Sequence, residues 1–318
     1  MHQANQSSVM YFIIKGISEV PQMLSFIFLL VLLIYLMTLG GNFAVLFLVC
    51  ADCHLHTPMY FFLCNLSLVD IFSTTVTLHK MLLIFITGDN TVSFTACMAQ
   101  MCLFSWLSGN TLIILTVMSF DRFMAICNPL RYHMIMKPVL CILLVLFCWS
   151  FSLLQVIPPV IILSRLSCYI NNEINHFFCD IIPLLNISCS DTYILKLLIF
   201  TEGVLLSTLT PFLLTFISYV CIIISILKIS SSFGRLKAFY TCSSHLTVVM
   251  LLYAMLVFQY LIPTNSLESH KFFSLLNTVA VPMLNPLIYS LKNKDVMSAL
   301  RRRLLFYKMA NETFSLQA

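Results

Sequence analysis

An acidic and a basic residue stand side by side at the point where a long uncharged stretch ends. No Asp, Glu, Lys or Arg occurs in residues 92–120, and Asp121 and Arg122 follow directly. A helix of this length crosses the ~30 Å hydrocarbon core of a bilayer. The pair then lies where the helix meets water, so the arginine can be held by the carboxylate in one state and released in another. The chemistry that these residues predict is a reversible charge pairing.

Patterns for catalysis or for metal binding are missing from the sequence. No nucleophile, base and orienting group occur at a recognisable spacing. Hydroxyl side chains scattered along apolar helices usually donate back to backbone carbonyls. No group of Cys, His and carboxylate residues converges on one helix face at the spacing of a zinc site. We therefore predict a protein that is not an enzyme and has neither a metal ion nor a cofactor.

The composition is that of a membrane protein. Hydrophobic residues make up 60% of the 318 residues, charged residues only 9%, and the mean hydropathy is +0.98. Soluble chains carry about 25% charged residues. Seven apolar stretches are long enough to span a bilayer: roughly 24–50, 59–79, 97–120, 139–162, 197–227, 238–262 and 272–291. The prediction is an all-α, seven-transmembrane bundle in one domain, residues 1–318, with an N-terminal segment 1–23 and a C-terminal tail 292–318.

Charge predicts the orientation of this bundle. With the N-terminus outside, twelve of the seventeen basic residues fall on inner loops and the tail, as the positive-inside rule requires. The net charge of +5 is then an orientation signal and does not indicate nucleic acid. We expect a multi-pass protein of the plasma membrane with an extracellular N-terminus and a cytoplasmic C-terminus. Asn5 begins a glycosylation sequon on the outer side.

Two acids and several prolines lie inside the predicted spans. Asp70 is expected to join a polar network with Asn42 and Asn285, although a satisfied polar core without a regulatory role explains it too. Glu202 either faces a cavity or extends to the interface. Pro211, Pro282 and Pro286 remove backbone donors and create kinks in the fifth and seventh spans.

The loops and the tail carry two further signals. Four cysteines, namely Cys97, Cys168, Cys179 and Cys189, face the oxidising side, and their spacing permits three pairings. Residues 292–308 are typical of a basic amphipathic helix, in which Arg301, Arg302 and Arg303 can reach lipid phosphates. Whether this helix binds a partner or lies on the bilayer is open, and membrane lipid is the preferred interpretation.

Six motifs together resemble one family of receptors. They are Leu55–Leu63, Asn65–Asp70, Met118–Tyr132, Ser218–Tyr219, Lys237–Leu246 and Pro282–Val296. The run around Asp121 and Arg122 resembles the Asp-Arg-Tyr region of rhodopsin-like G-protein-coupled receptors. The residues of all six motifs, which are spread over nearly the full length of the chain, resemble those of the odorant receptor family and of its tetrapod-type branch.

The resemblance implies a function and the residues that serve it. A small, largely apolar volatile molecule would bind between the outer halves of helices three, five, six and seven and activate a stimulatory olfactory-type G protein, which raises cyclic AMP. The implied ligand contacts are Phe104, Ser105, Ser108, Gly109, Leu112, Glu202, Leu206, Leu256, Gln259, Tyr260 and Thr278. Activation and G-protein coupling would involve Asp121, Arg122, Tyr219, Lys237 and Tyr289. The implied disulfides are Cys97–Cys179 and Cys168–Cys189.

The sequence departs from the family pattern at several positions. Thr111 stands where the family often has an acid, so a carboxylate pair with Asp70 is missing. Phe120 and Phe123 replace the usual tyrosines beside the Asp-Arg pair. Two rival functions remain: a receptor of the same fold for a non-odorant metabolite, and a transporter or channel. The second rival predicts inverted repeats, which the sequence does not show.

Overall fold

The computed structural model describes residues 10–17, 21–166, 168–260, 267–291 and 296–303. Within this part of the chain, six helices are long and apolar enough to cross a membrane. A seventh span consists of Ser232–Tyr240 and Cys242–Val257, which meet at a bend of 41°. Large apolar side chains such as Phe26, Phe47 and Leu146 are more than half exposed, as a lipid-facing surface requires. The predicted seven-helix bundle is confirmed.

The helices follow one another along the chain, and most connections between them are short, apart from residues 165–180. Their bounds are α1 Pro21–Ala51, α2 Pro58–Thr87, α3 Phe94–Cys127, α4 Pro129–Ile135, α5 Pro138–Ser164, α6 Ile181–Asn186, α7 Tyr193–Leu198, α8 Thr210–Leu227, α9 Ser232–Tyr260 and α10 Leu267–Leu291. Residues 296–303 form a further helix beyond α10.

Local sequence explains where several of these helices begin and end. Pro58, Pro129 and Pro138 occupy first-turn positions, where a missing N–H costs nothing. Ser93 caps α3 by accepting a hydrogen bond from the Ala96 amide at 3.2 Å. Gly88 ends α2 with φ of +72°, a backbone conformation that residues with a Cβ rarely adopt.

The fifth span is not a continuous α-helix. Between α7 and α8, residues Ile199–Leu209 form a π-helix, in which the Thr210 amide donates to the Leu205 carbonyl five residues back. The Thr208 hydroxyl likewise donates to the Gly203 carbonyl at 2.9 Å. A π-helix turns less per residue than an α-helix, so this segment presents different side chains to the bundle than regular helical spacing predicts.

One end of the bundle, which we call the disulfide end, carries a small sheet. Strand β1 (Tyr11–Ile14) lies between β2 (Thr91–Ser93), to which it is antiparallel, and β3 (Glu173–Ile174), to which it is parallel. Phe12 and Ile14 are fully buried beneath the sheet beside Cys97 and Cys179. The sheet ties the chain before the first helix to two loops that are distant in sequence.

The opposite end, which we call the arginine end, contains Arg122 and the helix 296–303. Arg302 in this helix donates two hydrogen bonds to Asp52, which follows α1, at 2.6 and 3.0 Å. The Asp52 carboxylate also lies 2.9 Å from the His54 ring. Hydrogen bonds from Arg302 and then His54 hold the pKa of Asp52 well below its usual range. Arg302 thus pairs with Asp52. From the sequence, Arg301, Arg302 and Arg303 were all expected to contact lipid phosphates.

Candidate functional site

Asp121 and Arg122 form a closed ion pair at the arginine end. The Arg122 Nε donates to an Asp121 carboxylate oxygen at 2.9 Å, and a terminal guanidinium nitrogen contacts the same oxygen. Asp121 is fully buried. The Tyr132 hydroxyl, from α4, donates to its second oxygen at 2.8 Å. Burial and the Asp121 carboxylate raise the pKa of Tyr132, so this hydroxyl stays a donor. Arg122 is therefore held by a carboxylate that is itself fixed by the neighbouring loop helix.

Tyr219 and His245 form a second buried contact at the same end. The Tyr219 hydroxyl and the His245 Nδ1 share a hydrogen bond of 2.6 Å, which joins α8 to α9. Their rings are stacked with centroids 5.8 Å apart. The charge of Arg122 acts on both side chains. The two contacts therefore lie close enough to interact electrostatically across α3, α8 and α9.

The remaining residues assigned to activation lie nearby or outside the described side chains. Tyr289 on α10 is 2% exposed, and its hydroxyl has no hydrogen-bond partner among the described residues. Arg122 acts electrostatically on Tyr289 as well. Lys237 lies on α9, but its side chain is outside the described part. The buried Tyr289 hydroxyl is thus able to form a hydrogen bond in a different state of the receptor.

The expected polar network divides into two separate links to α10. The Asn285 side chain donates to the Asp70 carboxylate at 2.9 Å. The Asn42 side chain donates instead to the Pro282 carbonyl at 3.2 Å. Pro286 has no N–H, so the carbonyl four residues before it, that of Pro282, lacks its helical donor. Asn42 satisfies this acceptor from α1.

The predicted ligand contacts on α3 do not share one environment. Phe104 packs edge-on against Phe178 of the disulfide-bonded loop, with ring centroids 4.9 Å apart. A Cβ placed on Gly109 would meet the Ser152 Cβ of α5 at 3.5 Å, so Gly109 lies at a helix contact. Leu112 is buried in the main apolar core. Ser105 and Ser108 are half-buried.

The π-helix divides its own side chains into two faces. Residues 201–203 and 207–208 are half-buried, whereas 204–206 are exposed, so Glu202 faces the bundle and Leu206 lies on the exposed face. The Ser207 hydroxyl donates to the Gln155 side-chain oxygen of α5 at 3.0 Å. The Glu202 Oε2 and the Gln155 Nε2 are buried without a hydrogen-bond partner among the residues described. These atoms are available to a polar group of a ligand.

The remaining predicted contacts lie on α9 and α10. Leu256 packs against the main core, and Thr278 is buried with its hydroxyl donating to the Ser274 carbonyl at 2.7 Å. The side chains of Gln259 and Tyr260 lie outside the described part, and so does the sequon at Asn5. The structure contains both disulfides that the resemblance implies, Cys97–Cys179 and Cys168–Cys189.

Sequence reasoning missed four residues of these clusters. His245 stood inside a quoted motif, and Tyr132 ended another, but neither received a role. Gln155 and Ser207 belong to no motif. For His245, Gln155 and Ser207, the available signal was a polar side chain inside an apolar span, because buried polar groups in a membrane need a partner.

The fold defines the class of this protein. The crystal structure of squid rhodopsin superposes with a TM-score of 0.72 over 90% of this chain and 82% of that chain. The two sequences are 17% identical, so the likeness concerns the fold. The arrangement is therefore the seven-transmembrane helix fold of rhodopsin.

Sequence comparison specifies the family within that class. The olfactory receptor family profile matches residues 31–307. Olfactory receptor 5AR1 of Mus musculus is 43% identical over 95% of this chain and 98% of its own. Human olfactory receptor 1N1 is 42% identical over 94% of this chain and 96% of its own. The chain belongs to the olfactory receptor family and is a multi-pass membrane receptor, not an enzyme.

Proposed function

We propose that this receptor detects small, mostly apolar volatile molecules and activates a stimulatory olfactory-type G protein, which raises cyclic AMP. The single observation that carries the coupling step is the ion pair between Asp121 and Arg122, buried and fixed by Tyr132. In the proposed mechanism this pair has two arrangements, the closed one that the structure contains and a released one. A ligand that binds the released state more tightly shifts the protein toward it.

In this mechanism the described arrangement is the resting one. Arg122 leaves Asp121 on activation, and Tyr219 and Tyr289 move toward it. The unbonded Tyr289 hydroxyl and the Tyr219–His245 contact support this sequence of events, since both lie within the electrostatic reach of Arg122. Lys237 lies near the beginning of α9, at the arginine end, and contributes to the surface that binds the G protein.

The orientation and location follow from charge and redox chemistry. We place the disulfide end outside the cell, because disulfides persist in oxidising compartments. The arginine end, with Arg301 and Arg303 exposed, then lies in the cytoplasm of a receptor in the plasma membrane. The chain is a single receptor domain whose sequon at Asn5 can be glycosylated. The helix 296–303 lies on lipid through its exposed arginines.

The ligand site that we propose combines apolar walls with a small polar group. Phe104, Leu112, Leu256 and Thr278 come from three helices, and Ser105 and Ser108 add hydroxyls on α3. Glu202, Gln155 and Ser207 supply the polar group from the fifth span and α5. Pockets of this kind use a few polar atoms to orient a mostly apolar ligand. The carboxylate favours ligands that carry an amine or a hydroxyl donor.

A screen for cyclic AMP tests both the coupling and the ligand class. Cells that display the receptor are exposed to volatile alcohols, amines, ketones and hydrocarbons, in parallel with a Glu202→Gln variant. We expect activators among the alcohols and amines. In the variant their potency should fall about tenfold, because the ligand then donates to a neutral amide oxygen, and a hydrogen bond to a charged group contributes about 1.5–3 kcal/mol against about 1 kcal/mol for a neutral one.

Two results would contradict this proposal. A response through calcium release without cyclic AMP would overturn the G-protein assignment. Equal potency of all activators on both forms of the receptor would remove Glu202 from the ligand site. Leu206→Ala is the matched control on the same π-helix, because Leu206 lies on the exposed face and its truncation should leave potency unchanged.

Breaking the Tyr219–His245 contact should raise the basal activity. His245→Phe keeps the ring and the packing but removes the 2.6 Å hydrogen bond between α8 and α9. A net hydrogen bond is worth about 1 kcal/mol, which corresponds to a shift of about fivefold toward the active state. Basal cyclic AMP per surface receptor measures the effect, with Met250→Leu, an exposed position on α9, as the control. Unchanged or lower basal activity would mean that the contact does not hold the resting state.

A further inference from the structure

A second cavity lies outside the proposed odorant site, between α2 and α3 at the disulfide end. Its volume is 520 Å³, within the ~300–1,000 Å³ typical of small-molecule pockets. It is lined by Thr75, Val76, His79, Lys80, Thr91, Val92, Ser93, Ala96, Ala99, Gln100 and Leu103. None of these residues belongs to the implied odorant contacts. The cavity is therefore a separate candidate site.

The lining has basic side chains and no carboxylate. Lys80 is half-buried, and its ammonium donates to the Asp89 backbone carbonyl at 3.2 Å. An ammonium has three donors, and no second acceptor for it occurs among the described residues, so donors remain for a ligand. His79 lies next to it and is exposed. One oxygen of the Asp89 carboxylate accepts the amide and the hydroxyl of Thr91 at 2.9 and 2.7 Å, and the carboxylate also interacts electrostatically with Lys80 without a hydrogen bond to its ammonium.

The polar and apolar parts of the lining are separated along the helix axes. Lys80 and the exposed Thr91 and Ser93 lie toward the end of the bundle, close to where α3 begins. From Ala96 the apolar wall continues to Leu103, which is 40% exposed on the lipid-facing surface. Seven residues of helix correspond to about 10 Å. The cavity thus has a basic part near the water boundary, at Lys80, and an apolar groove that opens to lipid.

The floor of the cavity connects to the proposed odorant site. The Gln100 side chain donates to the Val76 carbonyl at 2.7 Å and accepts from the Cys179 amide at 2.9 Å. Gln100 therefore joins α2 and α3 to the disulfide-bonded loop. The next residue of that loop toward the N-terminus, Phe178, packs on Phe104. An occupant that presses on Gln100 acts on a wall of the odorant site.

We propose that this cavity binds a long-chain carboxylate, with its head group at Lys80 and its alkyl chain along Ala99 and Leu103. A single chain with a small anionic head matches the charge, the volume and the opening to lipid. Bound there, it contacts Gln100, which links α2 and α3 to the disulfide-bonded loop. The binding step stands apart from the odorant and G-protein assignments, because it concerns different residues and needs neither partner.

Photolabelling of the purified full-length receptor in phosphatidylcholine nanodiscs tests the binding step. The probe is palmitic acid that carries a diazirine on its chain and an alkyne for capture. We expect saturable labelling of the lining residues of α2 and α3, located by mass spectrometry. Excess palmitic acid should compete, and palmityl alcohol should not. Labelling confined to other helices, or labelling that the alcohol removes equally well, would overturn the proposal.

Two variants of the receptor test the binding of the carboxylate head group and of the alkyl chain separately. Lys80→Met should reduce the labelling about tenfold, because a hydrogen bond between charged groups is lost. Lys196→Met, which removes an exposed cation at the same end, is the matched control and should have no effect. Ala99→Phe keeps Lys80 but fills the groove, and it should also abolish labelling. Full labelling of Lys80→Met or of Ala99→Phe contradicts the proposal. If phosphatidic acid displaces the probe and palmitic acid does not, the cavity binds a phospholipid, which contradicts the proposal as well. If Lys80→Met fails to fold, the labelled positions in the wild type and Ala99→Phe decide the question.

Discussion

Cells that express the Arg122→Ala receptor are expected to give no cyclic AMP response to any activator of the wild type, although the receptor still reaches the surface. The variant removes the group whose release from Asp121 we propose as the coupling step. The fold should survive, because Asp121 keeps its hydrogen bond from the Tyr132 hydroxyl at 2.8 Å. A cyclic AMP reporter and surface labelling of an N-terminal epitope measure the two quantities in the same cells.

Arg131→Ala is the matched control for this prediction. Arg131 lies on α4 near the same end of the bundle and is exposed, and we expect its removal to leave signalling close to wild type. Normal signalling from Arg122→Ala would refute the proposed role of the ion pair. A receptor that disappears from the surface would instead assign Arg122 to folding.

Gly41→Val should strongly reduce the amount of folded receptor. A Cβ at position 41 would lie 3.0 Å from the Pro286 Cγ and 3.2 Å from its Cβ. The proline ring cannot rotate away, so α1 and α10 must separate. The neighbouring hydrogen bond from Asn42 to the Pro282 carbonyl is then stretched as well. Overpacking costs about 1–3 kcal/mol, a large fraction of the ~5–15 kcal/mol that stabilises a typical fold.

Gly40→Val makes the same chemical change one residue earlier. No atom lies within 4 Å of a Cβ at Gly40, and the position is exposed. Surface expression and the melting temperature of the purified proteins should separate the two variants, with Gly40→Val close to wild type. Equal behaviour of both variants would show that the close approach of α1 to Pro286 does not limit stability.

The sequence predicted the spans well and the ends of the helices less well. The predicted second span ended at 79, whereas α2 continues to Thr87. Hydropathy falls at His79 and Lys80, but the backbone of a helix keeps its hydrogen bonds through polar residues until a breaker such as Gly88 follows. The fifth span was predicted as one stretch and contains a π-helix, which apolar composition does not reveal.

Several contacts between distant segments were not predicted from the sequence. The strands Tyr11–Ile14, Thr91–Ser93 and Glu173–Ile174 are too short to produce an alternating pattern, and they pair only because the helices bring them together. Arg302 was expected at the lipid, but Asp52, 250 residues earlier, is its partner. Asn42 was expected near Asp70, but Pro286 leaves the Pro282 carbonyl without a donor, and Asn42 reaches that carbonyl.

By itself the sequence determined the membrane class, the number of spans, the Asp121–Arg122 pair and the family. These properties depend on composition and on residues adjacent in the chain. The tertiary structure alone decided other pairings of polar groups: Tyr219 with His245, Ser207 with Gln155 and Gln100 with Cys179. A hydrogen bond requires atoms within about 3 Å, and the rotation and spacing of packed helices set such distances.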